Sequence, residues 1–568
     1  MNAREMLLAE FHRLAEVPDA VPRLRRFVLD LAVRGTLVEQ DPREGSAINL
    51  LEQIAASRTS ASPLRRRSRR SETQPQAEEP PHPLPPTWAW TTLREVTTDH
   101  GQTAPSGQFT YIDVTAIDKE AGRIAGPKVL EADDAPSRAR KVVKKGDVLY
   151  SCVRPTLLNV AVVEEEITPT PIASTAFAVL DGCGFVLPRY LWIVMRSPFM
   201  VGCVELRMRG QAYPAINDSD LAQLPFPLPP LAEQRRIVAK VDELMALCDR
   251  LEEAQRNDGV ALASARAASF AAVASVSDPS ARHLAWSRVE ARWDRMLSAK
   301  AGVEPLRRFI QDLGIRGLLT RPSTGDGRAV DELLAIAQHR DRLVAEQVVR
   351  RPYAISEVSG EEREFDLPNS WAWCRLGDVL LTLGDGPHFS PKYVRREEGV
   401  PFLSTRNVSA GRIDFEDVKY VSRADHEEFC RRIRPQRGDV LYTKGGTTGV
   451  AAVNRVEDEF SVWVHVAVLK VDASRTSSDY VALCLNSSHC YAQAQRLTHG
   501  IGNRDLGLTR MVTITLPLPP IAEQKRIVAR VGELAALCDH LDASLSQSEA
   551  ARSALLGAVM SGSLGAVA

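Results

Sequence analysis

Two segments of the chain carry apolar residues at alternating spacings of four and three positions, with charged residues between them. In the first segment these residues are Ile237, Val241, Leu244, Cys248 and Leu251. In the second segment they are Ile527, Val531, Leu534, Cys538 and Leu541. This spacing predicts amphipathic helices whose apolar seams each pack on a partner helix. Because the two seams match, we expect the two helices to pair with each other as an antiparallel coiled coil.

The seams belong to a longer internal repeat. PLPPLAEQRRIVAKVDELMALCDRLEE at 227–253 returns as PLPPIAEQKRIVARVGELAALCDHLDA at 517–543, and 19 of the 27 positions are identical. LRRFVLDLAVRGTL at 24–37 returns at 306–319 as LRRFIQDLGIRGLL, and both WAW and GDVLY occur twice in the same order. The sequence therefore predicts two copies of one unit, related by a pseudo-twofold repeat.

The regions between WAW and PLPP have a different pattern. Short β-branched runs such as VLYSCVRP and VWVHVAVLKV are interrupted by Gly, Pro and Asp, which is typical of strands joined by turns. The predicted fold class is α+β, with globular domains at 84–226 and 367–516 separated by helices. The remaining predicted segments are an N-terminal helical segment at 1–58, a linker at 59–83, a central helical region at 227–366 and a C-terminal helical region at 517–568.

Composition narrows the possible partners. The chain has 568 residues, 44% of them hydrophobic, and a formal net charge of −1. Because the net charge is so low, any surface that attracts nucleic acid must be a local patch. No apolar run of membrane-spanning length occurs, so no membrane partner is expected. The nine scattered cysteines lack a CxxC pair, which favours reduced thiols and a cytoplasmic location.

Motifs for catalysis or metal binding are not found in the sequence. GGTTG at 445–449 lacks the Lys and Ser/Thr of a phosphate-binding loop, and no HExxH or paired-cysteine pattern occurs. His388 lies in a turn-rich stretch and is interpreted as a polar loop residue. We therefore predict no catalytic residue, no metal site and no cofactor. These residues leave open a DNA-binding subunit, a stand-alone or fused enzyme, and a pure assembly scaffold.

Polar loops follow GDVLY and precede PLPP in each α+β region, and they carry side chains suited to phosphates and base edges. In the first region the predicted DNA-binding residues are Arg154, Arg209, Gln211, Tyr213 and Asn217. In the second region they are Arg406, Asn407, Lys444, Thr447, Thr448, Asn503 and Arg504. The equivalent placement of different residues in one repeated frame favours DNA recognition.

The whole pattern resembles the specificity subunit of a type I restriction–modification system. The most specific phrases are PLPPLAEQRRIV and PLPPIAEQKRIV, and LPPTWAWTTLREV, DGPHFSPKY and GDVLYTKGGTTGVAAV are also similar to the family. The first region departs from it in one respect, since VRPTLLN stands where the second has the GGTTG loop.

The resemblance implies two target recognition domains that each read one half of a split sequence in double-stranded DNA. It also implies that the repeated helices set the spacer and hold two methyltransferase subunits, and through them the restriction and translocase subunits. On this basis the chain performs no catalysis. S-adenosylmethionine, ATP and magnesium are expected only on the partner subunits.

Overall fold

The computed structural model describes residues 17, 19–61, 80–210, 213–276, 278–500 and 504–565. The chain forms two compact units, one made of Met1–Asp258 with Glu549–Ala568 and the other of Gly259–Ser548. Each unit contains one of the predicted α+β regions. Most of the predicted linker at 59–83, including its basic run, lies outside the described residues.

The helices are mostly short within the α+β regions and long in the PLPP repeats. Their bounds are α1 Ala20–Val33, α2 Ala47–Ala61, α3 Leu93–Val96, α4 Pro188–Arg196, α5 Pro198–Glu205, α6 Asp218–Ala222, α7 Leu231–Ser275, α8 Pro279–Glu290, α9 Trp293–Met296, α10 Val303–Ile315, α11 Ala329–Ala345, α12 Arg423–Cys430, α13 Ser478–Asn486, α14 Ser488–Leu497, α15 Leu508–Met511 and α16 Ile521–Gly565.

The strands fall into two groups. The first group is β1 Ala89–Thr92, β2 Phe109–Ile112, β3 Ile117–Asp118, β4 Arg123–Ile124, β5 Lys128–Leu130, β6 Ala139–Val142, β7 Val148–Ser151, β8 Val160–Val162, β9 Pro171–Ser174, β10 Phe177–Leu180 and β11 Pro225–Leu228. The second group is β12 Ala372–Arg375, β13 Leu380–Asp385, β14 Tyr393–Val394, β15 Gly399–Leu403, β16 Val408–Ser409, β17 Arg412–Ile413, β18 Lys419–Ser422, β19 Val440–Thr443, β20 Ala451–Val453, β21 Ser461–Val462, β22 Val466–Val471 and β23 Thr515–Leu518. The predicted α+β class is confirmed.

The two α+β domains are built on related sheets. The first has a five-stranded sheet in the order β10-β7-β8-β4-β3 and a four-stranded sheet in the order β5-β2-β9-β6. The second has four-stranded sheets in the orders β13-β22-β19-β20 and β14-β18-β15-β21. In both domains the GDVLY strand, β7 or β19, lies between two neighbours within its sheet, and its residues are buried on both faces.

WAW and PLPP close each domain. β1 pairs antiparallel with β11, with Ala89 opposite Leu228, and β12 pairs antiparallel with β23, with Ala372 opposite Leu518. A buried tyrosine fixes the closure in each copy, since the hydroxyls of Tyr190 and Tyr480 donate at 2.9 Å to the carbonyls of Pro227 and Pro517. These closures explain why the two phrases recur together along the chain.

The identical Glu-Gln pair after PLPP has a structural role. Gln234 accepts a hydrogen bond from the Leu187 amide at 2.9 Å and donates to the Pro229 carbonyl at 3.2 Å. Gln524 makes the same two kinds of bond, accepting from Ser477 at 2.8 Å and donating to Pro519. Because buried polar groups are costly unless paired, these bonds account for the identity of the glutamines in both copies.

The neighbouring glutamates hold the helical repeat segments. Glu233 accepts from the Gln40 amide at 2.6 Å, and Glu523 accepts from the Trp371 indole at 2.9 Å and from Thr320. Both carboxylates are almost fully buried. Burial raises the pKa of Glu233. Each PLPP segment therefore joins a long helix to the short helical segments of its own unit.

The long helices extend beyond the predicted seams. α7 and α16 each contain 45 residues, so each is about 68 Å long at ~1.5 Å per residue. Ile237 and Val241 pack into the core of the first domain, and Ile527 and Val531 pack into the core of the second unit. The first turns of both seams thus serve their own domains. The pairing of the two seams with each other stays a prediction.

The remaining seam residues differ in burial. Cys248 and Cys538 are buried, whereas Leu244 and Leu534 are half-buried against the cores of their own units. Leu251 and Leu541 are half-buried as well. All nine cysteines are free thiols. None of the helices among the described residues combines the length and the apolar character needed to cross a bilayer.

Candidate DNA interface

The structure brings the two predicted loops of the first domain together. Val153, just after β7, forms an isolated bridge with Ala215, and Arg209 forms another bridge with the same residue. The amide of Arg154 donates to the carbonyl of Pro214 at 2.8 Å, and the amide of Ile216 donates to Cys152 at 3.0 Å. The loop after GDVLY and the loop before PLPP therefore form one surface.

The second domain repeats this arrangement. Gly445, just after β19, bridges Asp505, which also pairs with His499. The amide of Leu506 donates to the carbonyl of Lys444 at 2.8 Å. The two loops again meet at the end of the GDVLY strand. The backbone frame is shared, so the domains differ chiefly in the side chains that this frame presents.

Arg154 is the best-presented basic side chain of the first domain. Its backbone is left-handed, with φ of 47°, and its side chain is exposed. The guanidinium lies 5.0 Å from the ring centroid of Tyr213, which is 72% exposed. A guanidinium against an aromatic face is partly held in place while its N–H donors stay free for an anion or a base edge.

Arg209 and Asn217 are tied to helix α6. Arg209 lies 3.1 Å from the carboxylate of Asp220 but remains mostly exposed. The side-chain oxygen of Asn217 accepts from the amide of Asp220 at 2.7 Å and caps α6. The prediction of Asn217 as a base reader rested on its residue type. In the structure that amide serves as a helix cap, which is a common role for asparagine.

Lys444, a predicted DNA-binding residue, is buried in the structure. Its side chain is 5% exposed, and its ammonium lies 2.8 Å from Asp505 and 3.5 Å from Asp385. Two carboxylates, distant in sequence, hold the ammonium under the loop, and its predicted contact with DNA stays a prediction. Lys444 stabilises the junction of the loops in this conformation.

The two threonines that were predicted to bind DNA differ in how far they are buried. Thr447 is exposed at the tip of the loop, whereas Thr448 is 4% exposed. The Gln495 amide donates to the carbonyl of Thr448 at 2.9 Å, and Gly449 has φ of 90° beside Tyr491 and Gln495. A side chain on Gly449 would be strained there. This packing fixes the loop and leaves Thr447 to face outward.

Arg406 and Asn407 also have different environments. Asn407 is buried, accepts from the amide of Ser404 at 2.9 Å and donates to the carbonyl of Asp417 at 2.9 Å. It therefore holds a turn, and its predicted contact with DNA stays a prediction. Arg406 is exposed on that turn, and a Cβ built on Gly446 would lie 3.8 Å from Thr405, so the turn borders the GGTTG loop.

The last predicted residues lie in the loops before PLPP. Gln211 and Asn503 fall outside the described residues. Arg504 is exposed, and its carbonyl accepts from the amide of Gly446. The second surface thus presents Arg406, Thr447 and Arg504.

A loop that sequence reasoning set aside lies beside this second surface. The carboxylate of Asp385 accepts from Arg432 at 2.8 Å and lies 3.3 Å from the imidazole of His388. Phe389 follows, is 61% exposed, and accepts a hydrogen bond on its carbonyl from the Trp463 indole. The signal was the phrase DGPHFSP, in which an aromatic residue stands within a Gly- and Pro-rich turn.

Two titratable groups beneath the loops remain uncharged near neutral pH. Burial and the nearby carboxylate of Asp218 raise the pKa of Cys152 to about 12. Burial and the Lys444 ammonium lower the pKa of His465 below its usual 6.5. The charge that these surfaces can offer to DNA therefore comes from the exposed arginines.

The chain is similar in sequence to known proteins. The model of the type I restriction modification DNA specificity domain matches residues 202–261 and 368–547. The chain is 26% identical over 559 residues to the type I restriction enzyme EcoEI specificity subunit of Escherichia coli, covering 93% of this chain and 91% of that protein. It is 27% identical over 549 residues to the EcoAI specificity subunit of Escherichia coli, covering 92% and 90%.

One solved structure is similar to this chain in fold as well as in sequence. A chain reported in a study of complex assembly and conformational transition of the type I R-M system is 25% identical, with a TM-score of 0.50, covering 85% of this chain and 98% of that one. The matching family model describes a DNA specificity domain, and both relatives are named as specificity subunits. Over 92–93% of its length the chain is thus similar to specificity subunits of type I restriction enzymes.

Proposed function

We propose that each α+β domain reads one half of a bipartite DNA target and that the long helices fix the spacer between the halves. One observation carries this proposal. In both domains the same backbone frame joins two loops at the end of the GDVLY strand, while the exposed side chains differ. A shared frame with different contacts is what the recognition of two different half-sites requires.

In the first domain the proposed reader is Arg154, supported by Tyr213 and Arg209. A guanidinium can form two hydrogen bonds with the O6 and N7 atoms of guanine in the major groove. In the second domain the proposed contacts are Arg406, Thr447 and Arg504, with Phe389 alongside. Thr447 offers a hydroxyl to a base edge or phosphate, and the exposed ring of Phe389 offers an apolar contact to a thymine methyl group.

The proposed partners are two copies of a methyltransferase subunit, with the restriction and translocase subunits held through them. Leu247 and Leu537 occupy the same position of the repeat and are 45% and 64% exposed. Both lie one turn beyond an exposed ion pair, Lys240–Glu243 in one copy and Arg530–Glu533 in the other. An exposed leucine retained twice in the same polar setting supports two like docking sites for one kind of partner.

The cofactors follow from the partners. We propose that S-adenosylmethionine, ATP and magnesium bind only to the methyltransferase and restriction subunits, because methyl transfer and DNA cleavage are assigned to those chains. We also propose a cytoplasmic location, which agrees with a DNA target and with nine free thiols.

The test is a map of methylated adenines in cells that carry the complete gene set, with this gene intact or deleted. We expect one bipartite motif with a fixed spacer to lose its methylation when the gene is deleted. Complementation with Arg154→Ala should relax or abolish recognition in one half of the motif only. A map that is identical with and without an expressed gene would contradict the proposal.

A further inference from the structure

The GDVLY aspartates of the two domains have different cross-strand neighbours. In the second domain Asp439 lies directly before β19, and the ammonium of Lys470 in β22 lies 2.5 Å from its carboxylate. Asp439 is 7% exposed. This pair carries no net charge, so the buried carboxylate is compensated by a cation fixed in the sheet.

In the first domain the equivalent position holds the opposite charge. Val148 pairs with Leu180 as Val440 pairs with Leu469, so the next residue, Asp181, occupies the position of Lys470. It stands across from Asp147, which is 1% exposed. Like charges that face each other across strands are destabilising. A cation at this place would offset the two facing carboxylates of the first domain.

A histidine completes the group. His100 Nε2 lies 3.0 Å from Asp147 Oδ1 and 4.0 Å from Asp181 Oδ2. Thr98 pairs with Asp181 as Thr382 pairs with Lys470, so Gly384 is the counterpart of His100 in the second domain. Two changes thus occur together between the domains: lysine is replaced by aspartate, and glycine is replaced by histidine.

We propose that His100 Nε2, Asp147 Oδ1 and Asp181 Oδ2 bind one divalent transition-metal ion. These three atoms lie within 4.8 Å of one another. Metal–ligand bonds of about 2.1 Å place donor atoms roughly 3.4 Å apart in a tetrahedral site, so small side-chain movements suffice. A doubly charged ion with two carboxylates and a neutral imidazole sums to zero, as the Asp439–Lys470 pair does. Nitrogen with carboxylate oxygens suits zinc.

The hydrogen bonds around Asp147 suit a carboxylate that binds a metal ion. Its second oxygen, Oδ2, accepts a hydrogen bond from the amide of Lys144 at 2.7 Å, which orients the carboxylate so that Oδ1 faces the imidazole. Such outer hydrogen bonds commonly hold ligating carboxylates in position. The thiol of Cys183 lies 3.9 Å from Asp181 Oδ2 and is a further donor close by.

A second group of one histidine and two carboxylates differs from the first because arginines already balance its charge. His426, Glu427 and Glu459 also lie close together, but Arg434 pairs with both glutamates and Arg423 pairs with Glu459. Two guanidinium groups already compensate the two carboxylates. This second group therefore needs no metal ion and serves as the internal comparison.

The proposed ion has a structural role in the first domain. Asp147 precedes β7 and Arg154 follows it, so the site and the DNA-reading loop lie at opposite ends of the strand, about 20 Å apart at ~3.3 Å per residue. The ion would join the segment after α3 to β7 and β10. It would add stability to the first domain without touching DNA.

The test uses the full-length, tag-free chain, stripped with a chelator and titrated with ZnCl2 or CoCl2 in a calorimeter. We expect one ion per chain and a rise in the melting temperature of the first domain. Asp181→Lys copies the Asp439–Lys470 pair. This variant should fold without metal and bind zinc at least ~100-fold more weakly. His100→Ala should also lose the ion, and Glu427→Gln should bind it as the wild type does.

Three results would overturn the proposal. They are no ion bound by the wild-type chain, equal binding by Asp181→Lys, or loss of the ion in Glu427→Gln. Because Asp181→Lys replaces a like-charge pair by an attractive one, failure to fold is not expected. Its circular dichroism spectrum and melting curve without metal check this. Recognition of DNA is measured separately, so failure of the metal site leaves the proposed function unaffected.

Discussion

The two α+β domains use the cation in the loop after the GDVLY strand in opposite ways. Arg154 follows β7, is exposed and rests on Tyr213, whereas Lys444 follows β19 and is buried between Asp385 and Asp505. The first cation is free to meet DNA, and the second holds its loop together. The matching backbone hydrogen bonds of the two loops place Arg154 opposite Gly446, and Lys444 opposite Cys152. The same loop of a duplicated frame can therefore carry an exposed cation in one copy and a buried, structural one in the other, depending on where the cation stands and which carboxylates surround it.

The largest expected effect comes from removing the buried lysine. Lys444→Ala leaves Asp385 and Asp505 without their shared ammonium, although Asp385 keeps Arg432. Losing hydrogen bonds between charged groups of this kind costs up to about 3 kcal/mol of the free energy of unfolding. Urea unfolding of the variant should show this loss in the second domain. Lys444→Ala combined with Asp385→Asn is expected to be less harmful than the sum of the two changes. A stable Lys444→Ala protein that has lost DNA binding would show that the lysine reads DNA after all.

The next largest effect is expected at Leu247 and Leu537, which are the same residue at the same position of the two repeat copies. Leu247→Asp and Leu537→Asp should each weaken binding of the methyltransferase subunit by about 1.5–3 kcal/mol, the value of burying one leucine. Both residues are exposed, so the melting temperature of the chain alone should hardly change. Co-purification and calorimetry with the methyltransferase subunit measure the loss. The matched control is Ala246→Asp, which adds the same charge at an exposed neighbour. An equal loss in that control would assign the effect to charge and not to the leucine.

A smaller effect is expected where the copies differ. Arg154→Ala should reduce affinity for the first half-site by about 1–3 kcal/mol if the guanidinium reads a base. Stability should change by less than ~0.5 kcal/mol, because the side chain is exposed. Arg43→Ala, which removes an 89% exposed arginine outside both domains, is the control. Binding assays with duplexes altered in one half-site at a time would detect the position affected. Uniform weakening on all duplexes would instead identify a phosphate contact.

The smallest effect separates the aromatic support from the cation. Tyr213→Leu removes the ring beneath Arg154 and should cost about 0.5–1 kcal/mol of half-site affinity. Tyr213→Phe keeps the ring and should bind as the wild type does. A loss in Tyr213→Phe would show that the hydroxyl itself contacts DNA.

Much of the arrangement of domains and helices could be predicted from the sequence because the same motifs occur twice in the same order. The order of WAW, GDVLY, PLPP and long helix gave both α+β domains and both helices, and the loops predicted to bind DNA do lie together. The repeat could not show the structural role of the Glu-Gln pair, since Gln234 and Gln524 accept hydrogen bonds from backbone amides 47 residues away along the chain.

Three of the predicted DNA-binding residues have structural partners that the sequence did not show. Residue type alone suggested that Lys444, Asn407 and Asn217 face DNA. Each is satisfied by partners that folding brings in: two distant carboxylates for the lysine, a turn for Asn407 and a helix amide for Asn217. The metal site proposed above could not be predicted from the sequence, because His100, Asp147 and Asp181 come from three separate segments and show no ligand spacing.

The closure of each domain by its first and last strands has an evolutionary consequence. Because β1 lies beside β11, and β12 beside β23, the chain enters and leaves each recognition domain at adjacent points. Neighbouring antiparallel strands are only about 5 Å apart. A gene segment bounded by WAW and PLPP can therefore be replaced by recombination as a cassette, without stretching or re-threading the rest of the chain. A lineage can acquire a new DNA target in one event while the flanking helices stay as they were.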